Sequence, residues 1–245
     1  FKNKQTSISD DLKLSFSKFE KWHLCNLSMP ITFFVIGEQL ECNVFKSLLV
    51  NLLSNSKKMG GEITIGCHGY THTCWSAFSP NQEGFKKDLM NAKMIIKKSV
   101  GDFWRPWFRA PGGYIAPWMA GILKEEGFVL DSSINPTSFL SIKSGKVQKF
   151  KFNGWKSVDL AMKKAEVIER PWLTTFYPAL PSCGPALHIP ILKIFAISTW
   201  KKYSNTAYAS EIQILNSNTE ITTVYWHLLD HSKKNGTWIP PLSRT

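Results

Sequence analysis

Acid is scarce in this sequence beside its base. Asp and Glu number 18 against 30 Lys and Arg, which leaves a net charge of +12 over 245 residues. Such a surplus suits anionic partners: phosphorylated or acidic glycans, a membrane face reached by peripheral association, or nucleic acid. It is spread along helical faces (Lys86, Lys87, Lys93, Lys97, Lys98) rather than gathered in a basic tail. A solvated lysine-rich surface explains it equally well, and no nucleic-acid-binding motif accompanies it. Long apolar runs are missing too. The most apolar stretch, around Ile189–Trp200, is interrupted by Lys193 and falls short of the ~18 residues that span a bilayer. Phe1-Lys2-Asn3-Lys4 is not followed by the apolar core of a signal peptide. The five cysteines, Cys25, Cys42, Cys67, Cys74 and Cys183, are odd in number and unpaired in spacing. That argues against a disulfide framework and for a reducing compartment. The expectation is therefore cytoplasmic, with a periplasmic or exported protein as the alternative if a leader precedes Phe1. Internal repeats, linkers and low-complexity segments are also missing, which favours one domain over residues 1–245.

What is present alternates between short β-rich runs and helical patterns. Residues 5–9 (QTSIS) read as a strand, and Leu12, Phe16, Phe19 and His23 follow at helical spacing. Residues 31–37 (ITFFVIG) form a continuous apolar run with β-branched members, as in a buried parallel strand. Val44, Leu48, Leu49, Leu52 and Leu53 mark a helix ended by Gly60-Gly61, and residues 62–68 (EITIGCH) a strand. Ser79-Pro80 reads as a helix N-cap with proline at the first position. Phe85, Leu89, Ala92 and Ile96 give that helix its buried face. Strands follow at 106–111 (PWFRAP) and 128–133 (FVLDSS), around a helix at Ala116–Glu126 capped by Gly127. Further on come 165–171 (AEVIERP), a helical stretch near Ser210–Leu215, and 221–230 (ITTVYWHLLD). The stretch from Ser141 to Ala165 reads as an extra hairpin or a long loop. Repeated strand–helix units with buried strands predict an α/β barrel or a doubly wound sheet.

Ionisable groups fall at or just beyond four expected strand ends: Asp10-Asp11, His68 with His72, Arg109, and His227. Those ends are where parallel α/β folds build active sites. His68 and His72 stand four residues apart, about one helical pitch of 5.4 Å. A buried hydrogen-bonded pair is the plain reading of that spacing, and a metal site the other. Two imidazoles and one carboxylate make the usual three-ligand set of an open catalytic zinc site. Asp11 is the evident carboxylate, which leaves Asp10 beside the metal where a general base belongs. A rival, closed structural site would use Cys67, His68, His72 and Cys74. Adjacent strand residues point to opposite faces, which sets Cys67 and His68 apart.

The residues 9–11 (SDD), 32–37 (TFFVIG), 68–72 (HGYTH), 109–113 (RAPGG) and 225–227 (YWH) occur in the order and spacing of a known family. In these motifs the chain resembles the polysaccharide deacetylases, the NodB-homology enzymes of carbohydrate esterase family 4. Among them it looks most like the bacterial branch that trims surface polysaccharide and lipopolysaccharide. The resemblance implies a single-domain, distorted (β/α)7-like barrel and metal-dependent removal of an N-acetyl group from a glycan or glycan precursor, with zinc as the usual divalent metal. By position, Asp10 matches the catalytic base and Arg109 the arginine that orients it. Asp11, His68 and His72 match the metal ligands, and His227 the general acid. The amide of Gly112 matches an oxyanion donor, and Asp131 is a candidate to tune His227 or Arg109. Tyr114, Trp172 and Tyr177 are the candidates for stacking on sugar rings, while His188 reads as structural. The chain departs from the family where Ser9 and Leu12 flank the aspartates, at Gly69, and at Gly112 after the proline. The alternatives are an inactive barrel that binds glycan or a partner, and an amidohydrolase of a small non-sugar amide.

Overall fold

The protein was analysed as a computed structural model that describes residues 8–145, 154–176, 179–233 and 238–242. Five strands, β1 (Ile31–Val35), β2 (Ile63–Cys67), β3 (Trp104–Phe108), β4 (Leu130–Asp131) and β5 (Ile168–Glu169), form one sheet in the order β1-β2-β3-β4-β5. Every pairing is parallel. Parallel neighbours need crossovers, and helices supply them: α2 (Asn43–Lys58), α3 (Gln82–Val100), α4 (Met119–Glu125) and α5 (Gly154–Lys164) each link one strand to the next. Ahead of the sheet lies α1 (Asp10–Leu24); after it come α6 (Pro190–Lys201) and α7 (Glu211–Ile214). The architecture is α/β, as the alternating pattern predicts, and consistent with a NodB-like barrel. Among the described residues the sheet does not close. Of the strand expected at 5–9, residues 5–7 lie outside them, and Ile8 and Ser9 form no strand, Ser9 capping α1 instead.

The core follows the helical and strand periodicities. All five residues of β2 are buried, between α2 and α3 on one side and the rest of the molecule on the other. Leu49, Leu53, Ile65, Phe85, Leu89, Ile96, Phe108 and Phe128 are at most 1% exposed. An edge-to-face ladder runs Trp75–Phe85–Phe108–Phe128–Trp104, with centroids 5.8–6.1 Å apart. A second, smaller cluster gathers Cys183, Leu187, Ala196 and Trp200 against Tyr225, Trp226 and Trp238.

Three local expectations are corrected. The cap of α3 is Asn81, whose Oδ1 accepts the Gly84 N–H at 2.8 Å, rather than Ser79. The described part of the stretch 141–165 holds no hairpin: the end of a 3-10 helical run at Ser138–Ser144 and the amphipathic α5 occupy it. Residues 221–227 form no strand beyond the single bridge Trp172–Thr223.

Candidate active site

The C-terminal ends of the strands deliver His68 after β2, Arg109 after β3, Ser132 after β4 and Arg170 after β5 to one edge of the sheet. His68 is anchored twice. Its N–H donates to the Val35 carbonyl at 2.9 Å, and its Nδ1 meets the Arg109 carbonyl at 2.6 Å. A carbonyl can only accept, so the proton sits on Nδ1 and Nε2 is left with a free lone pair. His72 brings its ring to within 5.0 Å of that of His68, edge to face. No helical turn makes this approach. The chain reverses through Gly69 (φ 78°) and through His72 itself (φ 55°), a conformation unusual for a side-chain-bearing residue. Asp88 of α3 holds the reversal, accepting the Tyr70 N–H at 2.8 Å and the Thr71 hydroxyl at 3.1 Å. A Cβ on residue 69 would stand 3.0 Å from the Asp88 carboxylate. Glycine replaces serine or threonine there because both the φ and the space require it.

Arg109 is fixed from all sides. Its Nε donates to the Ser132 carbonyl and its Nη2 to the Ser132 hydroxyl, both at 2.9 Å. The rings of Phe34, Tyr225 and Trp172 surround the guanidinium at 4.6, 5.0 and 5.4 Å. Burial pulls its pKa down to about 10. His68 is pulled to about 3, by burial first, against the help of the Arg109 carbonyl; the charges of His72, Arg109 and His227 push the same way as burial. These four groups therefore share one electrostatic neighbourhood, whose fixed positive charge is the Arg109 guanidinium.

His227 hangs at the exposed side of that neighbourhood, its ring 5.7 Å from Tyr225 and perpendicular to it. Its N–H donates to Asp230 Oδ2 at 2.9 Å, and its Nδ1 lies 3.9 Å from the same carboxylate. Burial lowers the pKa of His227, and Asp230 opposes the fall. Asp230 also holds His188 Nε2 at 3.0 Å and Lys233 at 2.9 Å. His188 is thus engaged structurally, as its context predicts. Asp230, not Asp131, is the carboxylate beside His227; the sequence carries it three residues on, in YWHLLD.

Asp131 lies elsewhere, fully buried on β4, accepting from the Ser133 N–H at 3.1 Å and the Ser133 hydroxyl at 2.6 Å. It shares a side-chain hydrogen bond with Glu169, its neighbour in register on β5, so one of the two carboxyls keeps its proton. Arg109 feels Asp131 through charge alone. Of the ring candidates, Trp172 is no surface platform. It is 6% exposed, its indole N–H donates to the Ser132 carbonyl at 2.7 Å, and its ring stacks on Tyr225 and Arg109 as the floor of the site. Tyr114 is half-buried at the rim, with the Lys143 ammonium over its ring at 5.1 Å. Tyr177 lies outside the described residues. Gly112 is exposed at φ 60°, its carbonyl accepting from Lys143 at 2.8 Å. As the second residue of its 3-10 turn, its N–H is one the turn does not pair.

Asp10 and Asp11 are not gathered with these groups. Both stand exposed in the first turn of α1, capped by Ser9, where acids complement the positive end of a helix. Asp10 pairs with Lys13 at 2.9 Å, which holds its pKa below the ordinary value. Among the described residues no group of three or more His, Cys, Asp or Glu side chains is placed to share a metal ion. The His68–His72 pair, with a free Nε2, fits two positions of a divalent ion; Asp11 does not meet it here. The closed cysteine–histidine site is ruled out by placement, since Cys67 is wholly buried in the core and burial raises its pKa to about 12.

A family model for polysaccharide deacetylase matches residues 23–130, a span holding His68, His72, Arg109 and Gly112. Asp10, Asp11, Asp131 and His227 fall outside the matched span. Among solved structures, a candidate polysaccharide deacetylase from Mycobacterium smegmatis superposes with a TM-score of 0.51 at 17% identity. The alignment takes in 89% of this chain and 65% of that one. At such identity the likeness to that deacetylase candidate speaks for the fold alone. Comparison with the curated proteins gives no match.

Proposed function

We propose that this chain is a hydrolase that removes an N-acetyl group from a sugar of a cell-surface polysaccharide, lipopolysaccharide or precursor, in the cytoplasm. The observation that carries the reading is the imidazole pair of His68 and His72, with its free Nε2, at the strand ends, within reach of the charges of Arg109 and His227. The match of residues 23–130 to the polysaccharide deacetylase model supports it.

His68, His72 and Asp11 would hold a divalent cation, zinc by donor type. Bound there, such an ion polarises an amide carbonyl and acidifies a water. This assignment requires the first turn of α1 to meet the imidazoles when metal binds. Asp10 takes the proton of the attacking water, whose oxygen adds to the acetyl carbon. Negative charge then develops on the former carbonyl oxygen, toward the N–H of Gly112, while Arg109 orients the base. The C–N bond breaks as His227 gives its proton to the departing amine, leaving acetate and a free amino sugar. Asp230 favours the protonated imidazole that this step consumes. Tyr114 and Tyr177 contact the sugar.

Acetate release from a panel of N-acetylated saccharides, by wild type and by Asp10→Ala, Asp11→Ala and His227→Ala, tests the reading. Turnover falls ~10²–10⁴-fold without the base or the acid, with metal retained. Asp11→Ala loses metal and activity together. Wild-type release no faster than that of the variants, with glycan binding intact in all four, would mean a binding barrel.

A further inference from the structure

We infer that α6 is a docking face for an anionic lipid bilayer. The helix PILKIFAISTWK is apolar nearly all round, the pattern of a helix that is covered on every side. The protein covers only one. Ala196 and Trp200 are wholly buried, and Trp200 Nε1 donates to the Ser182 carbonyl at 2.7 Å. On the opposite side Ile191 is 71% exposed, Ile194 70% and Phe195 50%. With Ser198 and Lys202 these residues follow the spacing of one helical face, so the apolar stripe ends in cations. Phe176, 82% exposed, extends the patch from the neighbouring segment, with the Lys202 ammonium 5.4 Å from its ring.

Charge identifies the occupant. From Pro171 to Ser210 the chain has no Asp or Glu at all, while Lys193, Lys201 and Lys202 stand on or beside the helix. A second copy docked face to face would set these lysines against each other with no acid in the segment to relieve them. A bilayer carrying anionic headgroups satisfies both halves of the pattern: isoleucine and phenylalanine enter the interface while the lysines stay at headgroup level. Docking would also set the candidate site beside the membrane. The buried side of α6 packs on Tyr225 and Trp226, and Tyr225 is part of the ring cage around Arg109.

Co-sedimentation of the full chain with vesicles tests this without reference to activity, using phosphatidylcholine alone and phosphatidylcholine mixed with phosphatidylglycerol. The chain is expected on the anionic vesicles, less on the neutral ones, and less again at raised salt. Ile191→Ser with Ile194→Ser should weaken binding by about tenfold or more with the circular dichroism spectrum and melting midpoint unchanged, since both side chains are exposed. Ile212→Ser, at an 83% exposed position on α7, should bind as wild type does. The inference is overturned by a wild type that ignores anionic vesicles or by a double variant that binds them undiminished. It is equally overturned if sedimentation shows a dimer that the double variant dissolves, for then α6 meets a second copy.

Discussion

The segment 23–130 and the chain beyond Arg170 are built on different principles. In the first, β1 and β2 pair residue by residue over five positions, and helices with caps and single buried faces close the crossovers. In the second, the regular structure among the described residues is α6, the short α7 and two 3-10 turns at Gly184–Leu187 and Leu228–Ser232, and the backbone is stapled by side chains. Arg170 donates to the carbonyls of Ile214, Asn216 and Thr219 at 2.7–3.0 Å. Trp172 and Trp200 each spend an indole N–H on a serine carbonyl. Asp230 gathers His227, His188 and Lys233. Burial shapes one region, and a handful of polar contacts the other. The candidate site lies on their seam: His68, His72 and Arg109 come from the first, Trp172, Tyr225 and His227 from the second.

Three substitutions would sharpen or break that contrast. Phe85→Ala strikes the burial-built region, where the ring touches Trp75, Phe108 and Trp118 and is 0% exposed. A loss of about 3–5 kcal/mol in urea unfolding is expected. Arg170→Ala strikes the staple. It strands carbonyls that one guanidinium serves, for roughly 2–3 kcal/mol, and should loosen the indole environments of Trp200 and Trp226 before the sheet melts. If Arg170→Ala left Trp fluorescence and stability untouched, polar stapling would not be what orders this region.

The smallest effect is one of pH. Burial, and then Asp131, raise the pKa of Glu169 well above its ordinary 4.5. The folded state therefore keeps a proton that the unfolded chain releases, so stability falls as pH climbs above that ordinary value. Glu169→Gln keeps a donor for Asp131 and removes the titration. The variant's stability should be flatter in pH and higher at alkaline pH, on the order of 1 kcal/mol. Urea midpoints between pH 5 and pH 9 that fall equally in both proteins would place the proton elsewhere.

Legibility in the sequence follows the same seam. Phe16, Phe19 and His23, or Phe85, Leu89, Ala92 and Ile96, announce helices because burial repeats with the helical period. The apolar run 31–37 announces a strand, but as the edge of the sheet it is fully buried only at Ile31 and Val35, with Thr32, Phe33 and Phe34 half-buried. Arg170 and Asp230 announce nothing of the kind, because their partners are backbone groups as many as 49 residues away or side chains on other elements. The Pro-rich stretch 170–185 likewise reads as loop, which makes Trp172 a candidate to stack on a sugar ring. Trp172 is buried because its indole N–H found the Ser132 carbonyl, a contact that no local pattern encodes. His68, His72 and Arg109 are readable as one neighbourhood because each directly follows or closely trails the end of a strand, whereas His227 enters it from the start of a 3-10 turn. Asp10 and Asp11 were read into that neighbourhood through the motif SDD, whereas here they serve the start of α1.

The account's central claim is that the His68–His72 pair is the catalytic centre of a deacetylase. Metal content and acetate release, measured on the same preparations of wild type, His68→Ala and His72→Ala, test it most directly. Wild type should carry about one divalent ion and release acetate from at least one N-acetylated saccharide. Removing the ion with a chelator should stop release, and each histidine variant should lose metal and activity together. Full metal and full acetate release in both variants would contradict the claim.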